Sequence, residues 1–409
     1  MYWGNNFVSL RAEQTRHRVV RTPRGLALLL IGALSCAVFA PSVMHGAEER
    51  RNVRAVSYVN DKVPEGPWSV HLVKIDRSNP EYELHTMLAN DAVPGMATLS
   101  DQVKALPAEL GRPIAAINGD FYYTSPKAYY GDPQGLQILR GELVSGPTDH
   151  ACFWIDAEGK PRTGVVQPLF RAAWQDETTT LFGLNENRPD DDAVLYTPAM
   201  GASTGTKSGG REFVLEAVEK ESWLPLRIGT KLRARVQEIR DAGDTPLKPG
   251  TMVMSLGPQL IVDAPVVKVG DVVQLSMATT PDLTGARVAI GGGPRLISDG
   301  KQVNGWKSPN QRHPRTALGW NNDYLYLMLV DGRQPGVSVG MSFQEMADYF
   351  LKLGCTHAIN LDGGGSASMW AFGHVVSKPS EGQERPIANG VVLIKKPKAQ
   401  AEGVEAEKK

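Results

Sequence analysis

The chain has 409 residues, 42% of them hydrophobic and 22% charged, the proportions of a globular protein long enough for a large core. Of its 44 basic and 44 acidic residues, five and one respectively lie in residues 1–47, leaving 39 against 43. A mildly acidic remainder has no electrostatic reason to bind nucleic acid or anionic lipid.

At the N-terminus, Arg11, Arg16, Arg18, Arg21 and Arg24 precede the apolar and small-residue run Gly25–Ala40, and His45-Gly46-Ala47 offers a cleavage site. This is the pattern of a secretory signal peptide over residues 1–47, and it predicts export to a periplasm or to the outside. Sixteen apolar residues are short for a spanning helix, so no stable membrane span is expected after cleavage. A retained anchor and a lipid-modified Cys36 are the alternatives. Beyond the signal, Cys152 and Cys355 are able either to pair in an oxidising compartment or to stay as buried thiols.

Strands are expected at 54–59, 68–75 and 81–88, followed by a helix over 98–110 started by Thr98 or Ser100. A short apolar strand at 113–117 ends in Asn118-Gly119-Asp120, and a hairpin over 135–145 turns at Arg140-Gly141. From 163 to 284 the character changes. Strands at 179–183, 193–196, 212–218 and 231–239, and a hairpin over 266–278, alternate with Gly, Pro, Asn and Asp turns. This reads as a β-rich insertion that separates two halves of one domain, 48–162 and 285–395. Residues 396–409 form a charged tail expected to be disordered.

After the insertion, 288–290 leads into Gly291-Gly292-Gly293, and Arg312-His313-Pro314-Arg315 forms a cationic cluster. Tyr324–Val330 is a continuous apolar run that stops at Asp331-Gly332-Arg333. Ser342 and Glu345 have capping-box spacing, and Phe343, Met346, Ala347, Phe350 and Leu351 make one helical face, with Gly354 as the C-terminal cap. A short strand from His357 then enters Asp362-Gly363-Gly364-Gly365-Ser366. Two strands joined by one helix are expected to be parallel, which puts Asp331 and Asp362 at one carboxyl edge, where open sheets bind ligands. The expected class is α+β: a mixed sheet with flanking helices, containing the β-rich insertion.

Asp120, Asp331 and Asp362 each follow a strand. Any one alone is an ordinary turn residue, but paired acids are what glycosyl transfer or an ion requires. Arg315, Arg333 and His313 suit a phosphate clamp, with arginine binding two oxygens and histidine able to move a proton. Neither glycine run has Walker or dinucleotide spacing, and His-x-x-x-His and Cys-x-x-Cys are absent, so nucleotide cofactors and zinc lack support. No cofactor is required, and Ca²⁺ is the ion the acids permit.

Five ordered motifs carry a resemblance: NGDFYY (118–123), GGGPRLISDGK (291–301), RHPRTALG (312–319), VDGRQPGVSVGMS (330–342) and NLDGGGSASM (360–369). Together they resemble the phosphodiester glycosidase family, and LYTPAMGASTGT (195–206) is similar to a segment of its bacterial members. The family includes many exopolysaccharide-associated bacterial proteins. The resemblance implies cleavage of a sugar's anomeric C–O bond, with a phosphate ester leaving from a glycan or sugar phosphodiester of N-acetylglucosamine type. On that reading Asp362 acts at the anomeric carbon or on water, with Asp120 or Asp331 as partner. His313, Arg315 and Arg333 face the departing phosphate. Backbone N–H groups of Gly293, Gly363, Gly364 and Gly365 line the pocket, and Asn118, Asn360 and Ser366 bind sugar hydroxyls. The rivals are a metal-dependent phosphodiesterase whose three acids hold Ca²⁺ or Mg²⁺, and a non-catalytic envelope protein that stacks glycan on Phe121, Tyr122, Tyr123, Trp306 and Trp370.

Overall fold

The strand Tyr324–Val330 is buried on both faces, but one face is covered by a helix and the other by a second sheet. The computed structural model that shows this describes residues 55–397, apart from 92, 126 and 219–222. The expected signal at 1–47 and the tail beyond 397 lie outside the described residues.

Period-two alternation decides the layering. Tyr326, Met328 and Val330 pack with Met346, Ala347 and Phe350 of the helix Phe343–Lys352. Leu325, Leu327 and Leu329 pack inward with Ile117, Met369, Val391 and Leu393 of the opposing sheet. The helix starts as its sequence dictates: Ser342 and Glu345 close a reciprocal capping box, and Gly354 follows its end in the left-handed region.

The α+β expectation is corrected. Strands dominate: the described residues hold 25 strands in four sheets, against two short α-helices. Tyr324–Val330 and His357–Asn360 do run the same way, so Asp331 and Asp362 leave at one edge. They are not neighbours, however, because Arg315–Trp320 lies between them and pairs antiparallel to both. A crossover helix makes its two strands hydrogen-bonded neighbours only when no other strand enters the gap, and a short apolar run looks alike in either setting. The helix expected over 98–110 is also shorter: Thr98 caps Leu99–Lys104, and a 3₁₀ turn, Ala108–Leu110, follows Pro107.

The described strands form four sheets. The seven-stranded sheet contains Trp68–Asp76, Tyr324–Val330, Arg315–Trp320 and His357–Asn360 in that order. A five-stranded sheet packs against it and includes Arg112–Asn118 beside Asn389–Lys395. Val288–Gly291 belongs to a second five-stranded sheet, and its Ile290 joins the same core. The eight-stranded sheet draws all its strands from residues 167–280, and its Phe170, Phe213, Met254 and Leu275 share a core with Ile138, Cys152, Trp154 and Ala289 of the second five-stranded sheet. In the expected hairpin at 266–278 only the second half is a strand, Val272–Thr280. Cys152 and Cys355 are both buried free thiols, in different core clusters.

Candidate active site

Arg315 opens its strand at the edge where Val330 and Asn360 end theirs, and this shared edge builds the site. From the opposing sheet Arg112–Asn118 ends beside it, stitched on by Asp362 N–H donating to the Gly119 carbonyl (2.9 Å). Asn118 completes the seam. Its Nδ2 donates to the Asp362 carbonyl at 2.7 Å, while its Oδ1 accepts from Thr316 Oγ1 at 2.6 Å and from Ser368 N–H at 3.1 Å. Asn118 is buried and has both ends occupied, so it positions the Asp362 loop instead of facing a sugar.

The edge encloses a pocket of about 390 Å³, lined by Asp362, Gly363, Gly364, Asn360, His313, Arg315 and Arg333, with Phe121, Lys307, Ser308, Gln311 and Phe343 on its walls. A cavity of about 430 Å³ opens elsewhere, where Ile75, Leu325 and Leu393 lie toward the opposite ends of their strands, and holds none of the expected site residues.

The three acids separate. Asp362 lines the pocket. Burial pushes its carboxyl above the usual range, while Ser366, the Gly363 N–H and the charge of Arg385 pull it back. Asp120 is fully buried close to Asp362 and does not line the pocket. Its pKa is pushed up to about 7, first by burial and in smaller part by the charge of Asp362. The nearby backbone amides of Phe121 and Gly135 favour its anion, yet neither Oδ closes a hydrogen bond of good geometry. The absence of a side chain at Gly291 makes room for it, because a Cβ there would fall 2.1 Å from Asp120 Oδ2. Asp331 is turned away. Its Oδ2 lies 2.9 Å from His71 Nε2 and its Oδ1 accepts from the Lys378 N–H at 2.9 Å, so both oxygens are engaged outside the pocket. The three acids therefore do not converge on one ion, and among the described residues no group of three or more His, Cys, Asp or Glu is placed to hold a metal.

The cations also separate. Arg312 is not in the cluster: its Nε donates to both Glu345 oxygens at 3.0 and 3.1 Å. Arg315 is buried, its guanidinium 4.1 Å from the centre of the Phe343 ring, with Nε donating to the Met341 carbonyl and Nη2 to the Gln311 carbonyl. Burial alone lowers it to about 10. His313 is held below its ordinary range by burial and then by Arg315 and Arg333, so its ring is largely neutral at pH 7. The glycine N–H groups are mostly spent on holding loops. Gly363 donates to Asp362 Oδ1, Gly364 to the Pro314 carbonyl and Gly293 to the Asn360 carbonyl, and Gly365 packs under Arg385. Ser366 serves Asp362 and lies 3.3 Å from Tyr122 Oη. Asn360 donates to the Gly293 carbonyl at 2.8 Å and leaves Oδ1 without a partner beside the pocket.

Sequence reasoning missed Lys307, Gln311 and the exposed edge of Phe343, which reads as a core position on the helix face. It also missed Asp132, whose carboxyl is buried without a partner and is pushed well up by burial, then by Glu186 and Asp120. Gly131-Asp132-Pro133 has only the signature of a turn, so no local signal marks it.

A phosphodiester glycosidase family model matches residues 226–394. Over 114 residues the chain is 35% identical to an uncharacterized SPbeta prophage-derived protein of Bacillus subtilis (strain 168), covering 27% of this chain and 18% of that protein. Over 68 residues it is 43% identical to the N-acetylglucosamine-1-phosphodiester alpha-N-acetylglucosaminidase of Bos taurus, covering 16% of this chain and 12% of that one. The chain thus matches less than a fifth of either curated relative's length. A hypothetical protein from Synechocystis shares the fold, with TM-score 0.67 at 21% identity over 83% of this chain and 61% of that one. The matched stretch, 226 to 394, holds His313, Arg315, Arg333 and Asp362, and the family model is that of the phosphodiester glycosidases that the motifs resemble.

Proposed function

We propose that the protein hydrolyses a sugar-1-phosphodiester at the anomeric C–O bond, with N-acetylglucosamine as the sugar, and that it does so after export. One observation carries this reading: a buried arginine without a carboxylate partner, Arg315, shares a pocket with the carboxylate of Asp362. A buried guanidinium is costly unless an anion meets it, and a phosphate is the anion that the family chemistry provides. The name of the bovine relative supplies the sugar.

In this mechanism the phosphodiester lies between Arg315 and Arg333, and the anomeric carbon faces Asp362. The C1–O bond breaks, the phosphate monoester leaves as an anion stable at neutral pH, and water supplies the new hydroxyl at C1. Fixed cations at the leaving oxygen therefore contribute more than a strong general acid does. Asp362 acts on the carbon or takes the proton from water. Asp120, with its pKa near 7, carries a proton over much of the working range and limits negative charge behind Asp362. Asn360 Oδ1 accepts from a sugar hydroxyl.

Hydrolysis of the methyl diester of N-acetylglucosamine 1-phosphate in ¹⁸O-labelled water tests the reading. Label in the sugar supports it. Label in the phosphate means attack at phosphorus and overturns it.

A further inference from the structure

The wall formed by residues 303–311 is used by neither the sugar nor the reacting phosphate, yet it is firmly held. Trp306 packs edge-on against Phe343, with ring centres 6.0 Å apart, and its Nε1 donates to the Arg295 carbonyl at 2.9 Å. The Phe343 N–H donates to the Pro309 carbonyl, and the Gln311 carbonyl accepts from Arg315. Ser308 is held at a φ of 53°, a conformation a non-glycine residue enters only when its surroundings impose it. This anchoring places Lys307 on the pocket wall beside the phosphate-facing arginine.

The charges on this pocket do not balance for a simple substrate. Lys307, Arg315 and Arg333 line it, and among the described residues none of them has an acidic side chain within ion-pair distance. Against these three permanent cations stand Asp362 and the single charge of a phosphodiester, while Arg385 and Glu381 nearby pair with each other. One positive charge is left over; Lys307 and Arg333 are both exposed, and Lys307 is the one that the scissile phosphate does not meet.

Resting on the glycosidase reading, we infer that residues 303–311 form the subsite for the leaving group, and that Lys307 selects leaving groups bearing a second anionic group, a further phosphate or a carboxylate. The sugar then occupies the Asp362 and Asn360 side, the scissile phosphate meets Arg315, and the aglycone runs along the wall to Lys307.

Two probes separate this inference from the reading beneath it: N-acetylglucosamine-1-phosphate diesters of glycerol and of glycerol 3-phosphate. The kcat/KM ratio of the second to the first is measured at low and high salt in wild type and in Lys307→Glu, with a thermal melt confirming that the variant folds. The expected wild-type ratio is about fivefold, the strength of one exposed ion pair, shrinking with salt. In Lys307→Glu it falls by about tenfold, as attraction becomes repulsion. A wild-type ratio of one, or a ratio that survives the substitution, overturns the inference while leaving the glycosidase reading intact. Hydrolysis of neither diester overturns both.

Discussion

Arg333 has a φ of 60°, a region where a non-glycine side chain costs about 1 kcal/mol, and it follows Gly332 on the loop that leaves Asp331. The strain is tolerated where the guanidinium reaches the pocket beside Gly364. Arg333→Gly should therefore melt at the same temperature or slightly higher, while KM for the phosphodiester rises by about tenfold. A thermal melt and a substrate titration on the same preparation check both halves, and an unchanged KM would remove Arg333 from phosphate binding. Asp362→Asn should fold and lose turnover by about 10³-fold, and full turnover in a folded variant would sink its role. The candidate acids were legible as residues but not as roles. Asp331 and Asp362 are both Asp-Gly after an apolar strand, and nothing local tells them apart. What separates them is His71, 260 positions away on the neighbouring strand, which engages Asp331 from outside the pocket.

At the scale of elements, the site depends on how strand ends are tied together. Asn118 links the end of its own strand to the Asp362 loop, to Thr316 and to Ser368. Asn118→Ala leaves those buried groups without partners, at a cost of about 2–4 kcal/mol. It should also lower kcat, because the Asp362 loop loses its anchor. Denaturant melts read the first effect and single-turnover rates the second; a loss of stability with normal kcat would make the anchor purely structural. The helix Phe343–Lys352 was readable to its caps, since capping box, apolar face and terminal glycine are all local signals. The pairing of the strands around it was not. Arg315–Trp320 enters the sheet between two strands that the helix connects, and its place there is set by long-range packing.

Across the whole molecule, Asp120, Asp132 and Glu186 are buried or half-buried carboxyls pushed upward, the first and last to about 7, with burial the leading cause in each. A carboxyl raised in the folded state binds more protons folded than unfolded. Its contribution is therefore most favourable below the unfolded pKa, near pH 4, and is lost as the pH rises through about 7. Stability should fall between pH 5 and 8, and Asp120→Asn should flatten part of that decline, gaining on the order of 1–4 kcal/mol at pH 8. Urea melts across this range check it, and parallel curves for the two proteins would show that Asp120 is not ionising there. Cys152 and Cys355 sit in separate cores as free thiols, so a reductant should leave the melting temperature unchanged. The sequence by itself determined the strand-rich segment after residue 163, the helix and its caps, the edge at which Asp331 and Asp362 leave, and the family that the motifs resemble. Each of these rests on a local periodicity, a cap or a short motif. The tertiary structure decided that Arg315–Trp320 enters between the two strands and pairs antiparallel to both, that Asp362 faces the pocket while Asp331 faces His71, that Arg312 is taken up by Glu345, and that Lys307 joins the site. Those outcomes depend on which groups meet across long stretches of chain, and a residue's own neighbours in sequence carry no record of them.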